Sequence, residues 1–333
     1  RESVKSRGLG DVYKRQSLKE NNSLKLNYAS DYFVSCNSEK DLFLIYDFLE
    51  EKKIKYWIFG DGTNVILKNN LKGLVIKFNL KGFSVNGNSL IVGAGEIWDD
   101  IVSESLNKNL YGLENLSGIP GSVGATPIQN IGAYGSEISN FVNYVETFNF
   151  NKGCFEVFSN KACNFSYRDS IFKDNPCLMV TKICLDLSQE FKPNTHYEAL
   201  PKIVKNAKEQ RKNILNIRSK KLPDHQKIPN VGSFFKNPII SETQLRRLVL
   251  DFPDIKYYLF EDKNFKVSAA WLIENAGLKD SKKGDCGISK KHALVFYNYS
   301  ETSDFLLSYS SEVIDIIKDK FGIILEYEPS ILC

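Results

Sequence analysis

Between Gly112 and Gly135 the chain reads GLENLSGIPGSVGATPIQNIGAYG, with glycine at 112, 118, 121, 124, 132 and 135, proline at 120 and 127, and Glu114 as its one charged residue. A stretch so punctuated does not sustain a long helix, and it is too apolar for a solvated linker. Glycine lets a backbone run close to a ligand because no Cβ intervenes, which leaves main-chain N–H groups free to bind anionic oxygens. The alternative is a buried irregular crossover. A second turn, GDGTN at 60–64, follows an apolar run. Its N–H groups, the Thr63 hydroxyl and the Asn64 amide can complete a pyrophosphate cradle, although tight turns after strands often share this composition. Neither segment has the GxGxxG spacing with a helix behind it, and there is no GxxxxGK[ST] loop. Two phosphate-type loops about 50 residues apart, with neither standard motif, point to a less common dinucleotide fold.

Other polar residues are ambiguous from their types alone. Arg168, in SYRDS, has Asp169 and Asp174 nearby as ion-pair partners, and Ser233, after a glycine in VGSFFKNP, reads as a cap or turn residue. Glu326 and Glu328, two apart in LEYEP, would share one face of a strand, so spacing does not choose between them. Exposure is the default for any single lysine.

These residues have to be held by a mixed set of elements. Asn37 and Ser38 can cap a helix over Asp41–Glu51, followed by a strand at Tyr56–Phe59 and apolar runs at Val65–Leu67 and Leu74–Phe78. A second unit opens with a strand at Ser89–Gly95 and a helix from Ile97 to about Leu110, then enters the Gly-rich stretch; β-like runs follow at Val142–Phe150, Cys154–Phe158 and Met179–Leu187. From Glu198 to Arg218 the pattern is helical and basic, and KKLPDHQKIPN (220–230) reads as a boundary. Beyond it lie helices at Glu242–Asp251 and Ser268–Ala276, a strand at Ala293–Tyr299, a long helix at about Ser303–Lys320 and a terminal β-like run at Ile323–Glu328. The fold class is α+β.

Composition agrees with this. The 333 residues suggest two or three domains at roughly 150 residues each. A hydrophobic fraction of 42% and a charged fraction of 25% are ordinary for a globular chain. No apolar run approaches bilayer length. The net charge of +4, spread along the chain, gives no argument for nucleic acid as a partner, and nothing demands an oligomer, so a monomer is expected. Seven cysteines without a CxxC pair or a zinc-type spacing fit reduced thiols, a cytoplasmic setting and no metal site. The one methionine is Met179, and RESVKSRGLGDVYKRQ carries neither apolar periodicity nor a signal-peptide core; residues 1–16 are read as a foreign or disordered leader outside the fold.

GDGTNVIL, the Gly112–Gly135 stretch, NFSYRDSIFK, VGSFFKNP and LEYEP, in this order, resemble the UDP-N-acetylenolpyruvoylglucosamine reductases, the MurB family, from about Asn22 to Glu328. The resemblance implies FAD held by a two-lobed domain of the vanillyl-alcohol-oxidase (PCMH) type and a C-terminal α+β substrate-binding domain. The implied division is lobe 1 at 17–80 with 323–333 returning to it, lobe 2 at 81–221, and the substrate domain at 222–322. It also implies NADPH as reductant, UDP-N-acetylglucosamine-enolpyruvate as substrate and UDP-N-acetylmuramate, a peptidoglycan precursor, as product.

Site residues carried by the resemblance fall in three groups. Gly60, Asp61, Gly62, Thr63 and Asn64, with Pro120, Gly121, Gly124, Ala125, Thr126, Ile128, Ile131 and Gly132, would hold FAD. Arg168 would bind and polarise the substrate carboxylate, for which a guanidinium is suited. Ser233 would protonate the enolate, with Glu328 assisting and Glu326 left as a rim carboxylate. Tyr167, Tyr197, Lys221, Asn237, Lys279 and His292 would contact substrate, Tyr197 on the closing loop of the longer subclass. His292 stands where an amide is expected. NSLKLNY, at Asn22, also departs from the usual start. A hydroxyl-oxidising flavoenzyme would need a different third domain, and a non-catalytic nucleotide binder would not need Arg168, Ser233 and Glu328 together.

Overall fold

A computed structural model describes residues 3–4, 12–195, 197 and 199–333. Packing divides the chain into two compact units. The first takes in the described residues up to Gln16, Ala29–Gly62 and Leu71–Arg218, and the second Ser17–Tyr28, Thr63–Asn70 and Ser219–Cys333.

The first unit contains two five-stranded sheets. One runs in the order Ser3–Val4, Val12–Ser17, Ala29–Cys36, Leu71–Phe78, Tyr56–Phe59, and its last three strands are parallel. A parallel pair needs a crossover, and the helix Glu39–Lys52 provides one. Ser38 caps it: its hydroxyl accepts the Asp41 N–H while the Asp41 carboxylate accepts the Ser38 N–H at 3.0 Å. That reciprocal cap contributes about 1 kcal/mol. Leu42, Ile45, Phe48 and Leu49 form its buried face. Val12 is fully buried, so residues 12–16, which the sequence reading left outside the fold, form part of a strand.

The second sheet is antiparallel throughout, in the order Cys154–Ser159, Val142–Asn149, Leu178–Asp186, Ser89–Gly93, Phe83–Asn86. One continuous core, from Val34 and Ile76 through Leu90 and Val92 to Val180 and Ile183, joins both sheets. The helix Ala207–Lys221 starts later than expected because Asn206 is its cap, its side chain accepting the Glu209 N–H at 2.9 Å. Pro201 also interrupts the earlier stretch, and Glu198 lies outside the described residues.

The second unit holds a four-stranded antiparallel sheet, Asn230–Ser233, Val295–Asn298, Cys286–Ile288 and Lys282–Lys283, and a three-stranded one, Ile239–Ser241, Asn264–Val267 and Tyr257–Leu259. Around them lie the helices Glu242–Asp251, Ala269–Asn275 and Asp304–Phe321. The last buries Leu306, Tyr309, Val313, Ile317 and Phe321 at helical spacing and stops at Gly322, whose φ of 68° is left-handed. After it, Ile323 and Leu325 are buried while Ile324 and Glu326 are exposed, the period-two alternation the sequence carried, yet no strand forms there. The terminal strand is Ser330–Leu332, paired in parallel with Val65–Leu67. Among the described residues, no helix is long and apolar enough to cross a membrane.

Candidate functional site

The Gly-rich segment is sewn onto residues 94–98 by its backbone. Gly121 accepts the Trp98 N–H at 2.9 Å, Val123 donates to Glu96 at 2.8 Å and Gly124 donates to Ala94 at 2.8 Å, while the buried Trp98 indole donates to Leu116 at 2.9 Å. Regular structure is limited to 3₁₀ turns at Leu113–Leu116 and Val123–Ala125 and a short pairing of Gly132–Ala133 with Ser136–Glu137. A Cβ on Gly124 would stand 2.6 Å from the Ala94 Cβ, so only glycine permits this approach. Gly60, at the end of Tyr56–Phe59, faces the same segment: a Cβ there would run into Ser122 Oγ and stand 3.0 Å from Phe78 Cζ. Gly60 and Gly124 are therefore both closed in on Phe78.

Ser122 Oγ is buried and, among the described residues, has no hydrogen-bond partner. An orphan hydroxyl where two Cβ-free loops meet is the arrangement expected of a backbone cradle completed by a ligand's oxygens. The residues present therefore fit a flavin dinucleotide. Of the remaining cradle positions, Asp61 lies 3.9 Å from Lys77, and Ala125 and Thr126 close the 3₁₀ turn onto Ser122 and Val123, the Thr126 hydroxyl donating to Val123 at 2.7 Å. Pro120 and Gly62 flank these turns. Thr63 and Asn64 fall in the second unit.

Arg168 is tied to the far end of the Gly-rich segment. Its Nη2 donates to the Gly132 carbonyl at 3.0 Å, and the guanidinium lies over the Tyr167 ring, 5.2 Å from the centroid. It holds a left-handed φ of 55°. Ser170 donates to Ile128 at 2.8 Å, and Asn130 donates both to Glu137 at 2.8 Å and to the Ser166 carbonyl at 3.0 Å; Ile131 donates back to Thr126 at 3.0 Å. The loops 128–137 and 166–170 are thus one structure. Tyr197 meets the Tyr134 ring edge-on at 5.2 Å and is 39% exposed.

In the second unit, Ser233 ends its strand opposite Val295. Glu328 donates its N–H to the Phe234 carbonyl at 3.0 Å, and Lys236 donates to the Glu326 carbonyl at 2.9 Å, about the antiparallel bridge Phe235–Tyr327. This pairing sets the backbone of Glu328 against Phe234, the residue after Ser233. Asn64 clasps the other side: its amide donates to the Glu328 carbonyl at 3.4 Å and its own carbonyl accepts the Ser330 N–H at 3.1 Å. Glu326, with a side chain 74% exposed, lies 3.4 Å from the Lys236 ammonium. Sequence spacing left the two carboxylates equivalent; their surroundings differ.

Lys221, Lys279 and His292 form a cluster in the same unit. Burial holds the His292 imidazole below its usual pKa, the nearby Glu274 opposing and the charges of Lys221 and Lys279 adding to the effect. His292 Nδ1 accepts the Leu294 N–H at 3.2 Å, which leaves Nε2 as the protonated donor. Lys279 pairs with Glu274 at 2.7 Å. Asn237 accepts the Ala269 N–H at 3.0 Å and so braces the start of the helix Ala269–Asn275.

Two residues of the first unit were not singled out by sequence. Arg218 donates to the Gly118 carbonyl at 3.1 Å and also hydrogen-bonds Tyr134, binding two points of the Gly-rich segment; burial lowers its pKa, partly offset by the Tyr134 and Asp99 charges. Glu114 is buried, with Oε2 accepting the Gly112 N–H at 2.9 Å and Oε1 unpartnered among the described residues, and burial raises its pKa. Glu114 was legible as the one charge in an apolar stretch. Arg218 had no distinguishing signal in a basic helix.

Residues 30–156 match the FAD binding domain family, and residues 223–332 match the family described as UDP-N-acetylenolpyruvoylglucosamine reductase, C-terminal domain. The chain is 36% identical over 281 residues to the UDP-N-acetylenolpyruvoylglucosamine reductase of Idiomarina loihiensis, covering 82% of this chain and 84% of that one. To the protein of the same name from Flavobacterium johnsoniae it is 36% identical over 338 aligned residues, covering 97% and 100%. The crystal structure of the MurB enzyme from Thermus caldophilus aligns with a TM-score of 0.70 at 23% identity, covering 97% of this chain and 99% of that one, and so shares its fold.

Proposed function

Because the chain belongs to the UDP-N-acetylenolpyruvoylglucosamine reductase family, we propose that it carries out the NADPH-dependent reduction of UDP-N-acetylglucosamine-enolpyruvate to UDP-N-acetylmuramate in the cytoplasm. The observation that supports this reading is the pairing at the Phe235–Tyr327 bridge, which sets the Glu328 backbone against Phe234, next in the chain to Ser233. Bound FAD would take a hydride from NADPH and supply it from N5 to the enolpyruvyl β-carbon.

What the protein itself must do follows from the substrate. Hydride arriving at the β-carbon pushes charge through Cα into the carboxylate, so an enolate has to be stabilised and then protonated. Arg168 supplies a permanent cation for the carboxylate, with its guanidinium plane oriented by Tyr167 and the Gly132 carbonyl. The Ser233 hydroxyl delivers the proton to Cα. Serine is a weak acid in water, but an enolate is a strong base and a fixed donor loses little to misorientation. Glu328 assists that delivery. Lys221 and Lys279 meet the diphosphate, His292 donates from Nε2 beside them, and Tyr197 closes over the uridine end.

The proposed functional division makes residues 17–80 with the returning 323–333 one flavin lobe, 81–221 the second and 222–322 the substrate domain, whereas packing groups 17–28 and 63–70 with 219–333. The test is a visible spectrum of the purified protein, followed by anaerobic reduction with NADPH and reoxidation by UDP-N-acetylglucosamine-enolpyruvate. A yellow protein that completes both steps meets the expectation. Protein that takes up no FAD, or whose reduced flavin that substrate leaves unchanged, overturns it.

A further inference from the structure

We propose that Tyr327 is a positioning residue for the reaction: its ring and hydroxyl, fixed to an aromatic cluster and to Ser310, hold Glu328 in its backbone register against Phe234, the residue after Ser233. The inference rests on the reductase reading above.

The segment carrying Glu328 belongs to no regular strand. Its pairing with residues 234–236 is a single bridge, Phe235–Tyr327, flanked by two backbone hydrogen bonds of 2.9 and 3.0 Å. So short a pairing is marginal by itself and tolerates slippage. A slip of one residue would take Glu328 out of its place against Phe234 and bring Tyr327 into it.

Tyr327 opposes that slip from both ends of its side chain. Its ring stacks on Phe235 with centroids 5.4 Å apart and planes at 29°, and meets Phe234 edge-on at 5.7 Å. Both phenylalanines are fully buried, and Phe234 in turn stacks on Phe296 at 4.5 Å. At its outer end the Tyr327 hydroxyl lies 3.0 Å from Ser310 Oγ. Ser310 is fully buried and directs its one proton to the Leu307 carbonyl at 2.9 Å, so Tyr327 is the donor of the pair. Ser310 lies on the helix Asp304–Phe321, which leads directly into this segment.

The test compares Tyr327→Phe, which keeps the ring and removes the donor, with Ser310→Ala, which removes the acceptor. NADPH reduction and substrate reoxidation are followed separately by stopped flow across pH 5.5 to 9. Both variants are expected to reoxidise roughly tenfold more slowly, since small displacements of a reacting group carry losses of this order. Their substrate KM and NADPH step should match wild type, their pH profile for reoxidation should be displaced, and the double variant should be no worse than either single one. Reoxidation rates within twofold of wild type at every pH, or equal losses in both steps, would overturn the assignment, whichever variant gives them. Wild-type protein that fails to reoxidise at all would instead overturn the reductase reading.

Discussion

The backbone N–H of Glu328 donates to the carbonyl of Phe234 at 3.0 Å, so the two residues proposed to protonate the enolate lie on paired backbone, with Ser233 next in the chain to that carbonyl's residue. Ser233→Ala and Glu328→Gln should each slow substrate-dependent flavin reoxidation by about 10²- to 10⁴-fold, the range of general acid catalysis. NADPH-dependent flavin reduction should persist, because neither change touches hydride entry. Stopped-flow measurement of the two half-reactions checks this. Glu326→Gln, at the exposed rim, should leave both nearly unchanged.

Gly124→Ala should abolish the yellow colour. The added Cβ would stand 2.6 Å from the Ala94 Cβ in a segment held by the Gly124–Ala94 backbone hydrogen bond, so the loop has to shift. Overpacking of this kind costs about 1–3 kcal/mol. The ratio of absorbance near 450 nm to that at 280 nm, before and after adding FAD, reports it; full flavin content would refute the cradle.

Binding of UDP-N-acetylglucosamine should strengthen as pH falls below about 6.5, the ordinary imidazole value. His292 is held below that value by burial with Lys221 and Lys279, so it is neutral at pH 7 and gains charge only in more acidic solution. A diphosphate placed against it favours the charged ring and draws a proton from solvent. This diphosphate, esterified at both ends, has no titration of its own there. Calorimetry in buffers of different ionisation enthalpy should detect proton uptake in wild type and none in His292→Gln.

Glu114 gives the opposite kind of pH dependence, on stability. Its folded pKa is raised, so the contribution of the neutral carboxyl is fully present below the unfolded value and is lost as pH rises through the folded one. Melting temperatures of wild type should therefore decline from pH 4.5 upward relative to Glu114→Gln, with the two curves running parallel once the carboxyl has ionised.

The reach of the sequence differed between the two units for physical reasons. Tyr56–Phe59 and Val65–Leu67 are bounded by turn residues and match their observed limits, as does the helix Glu242–Asp251 with its Ser241 cap. The strand Ala29–Cys36 was missed because Asp31 and Ser35 interrupt its apolar pattern. Tyr257–Leu259 is exposed along its whole length, so no burial periodicity marked it. Glycine spacing announced the close packing of Gly60 and Gly124 against Phe78, because close backbone approach has a residue type that answers to it. The distinction between Glu326 and Glu328 had no such signature: it arises from Lys236 beside one and Asn64 beside the other, partners remote in the chain.

The clasp between Asn64 and Glu328 joins residues 264 positions apart, and the strand Ser330–Leu332 that follows is laid along Val65–Leu67. At ribosomal speeds of about 5–20 residues per second, Val65–Leu67 wait roughly 13 to 50 s after their own synthesis for this partner. The stretch that carries Glu328 is thus made long after the Asn64 that clasps it. Chains that end before residue 328 lack this glutamate, so under the proposed mechanism any flavin they bind cannot complete the reaction.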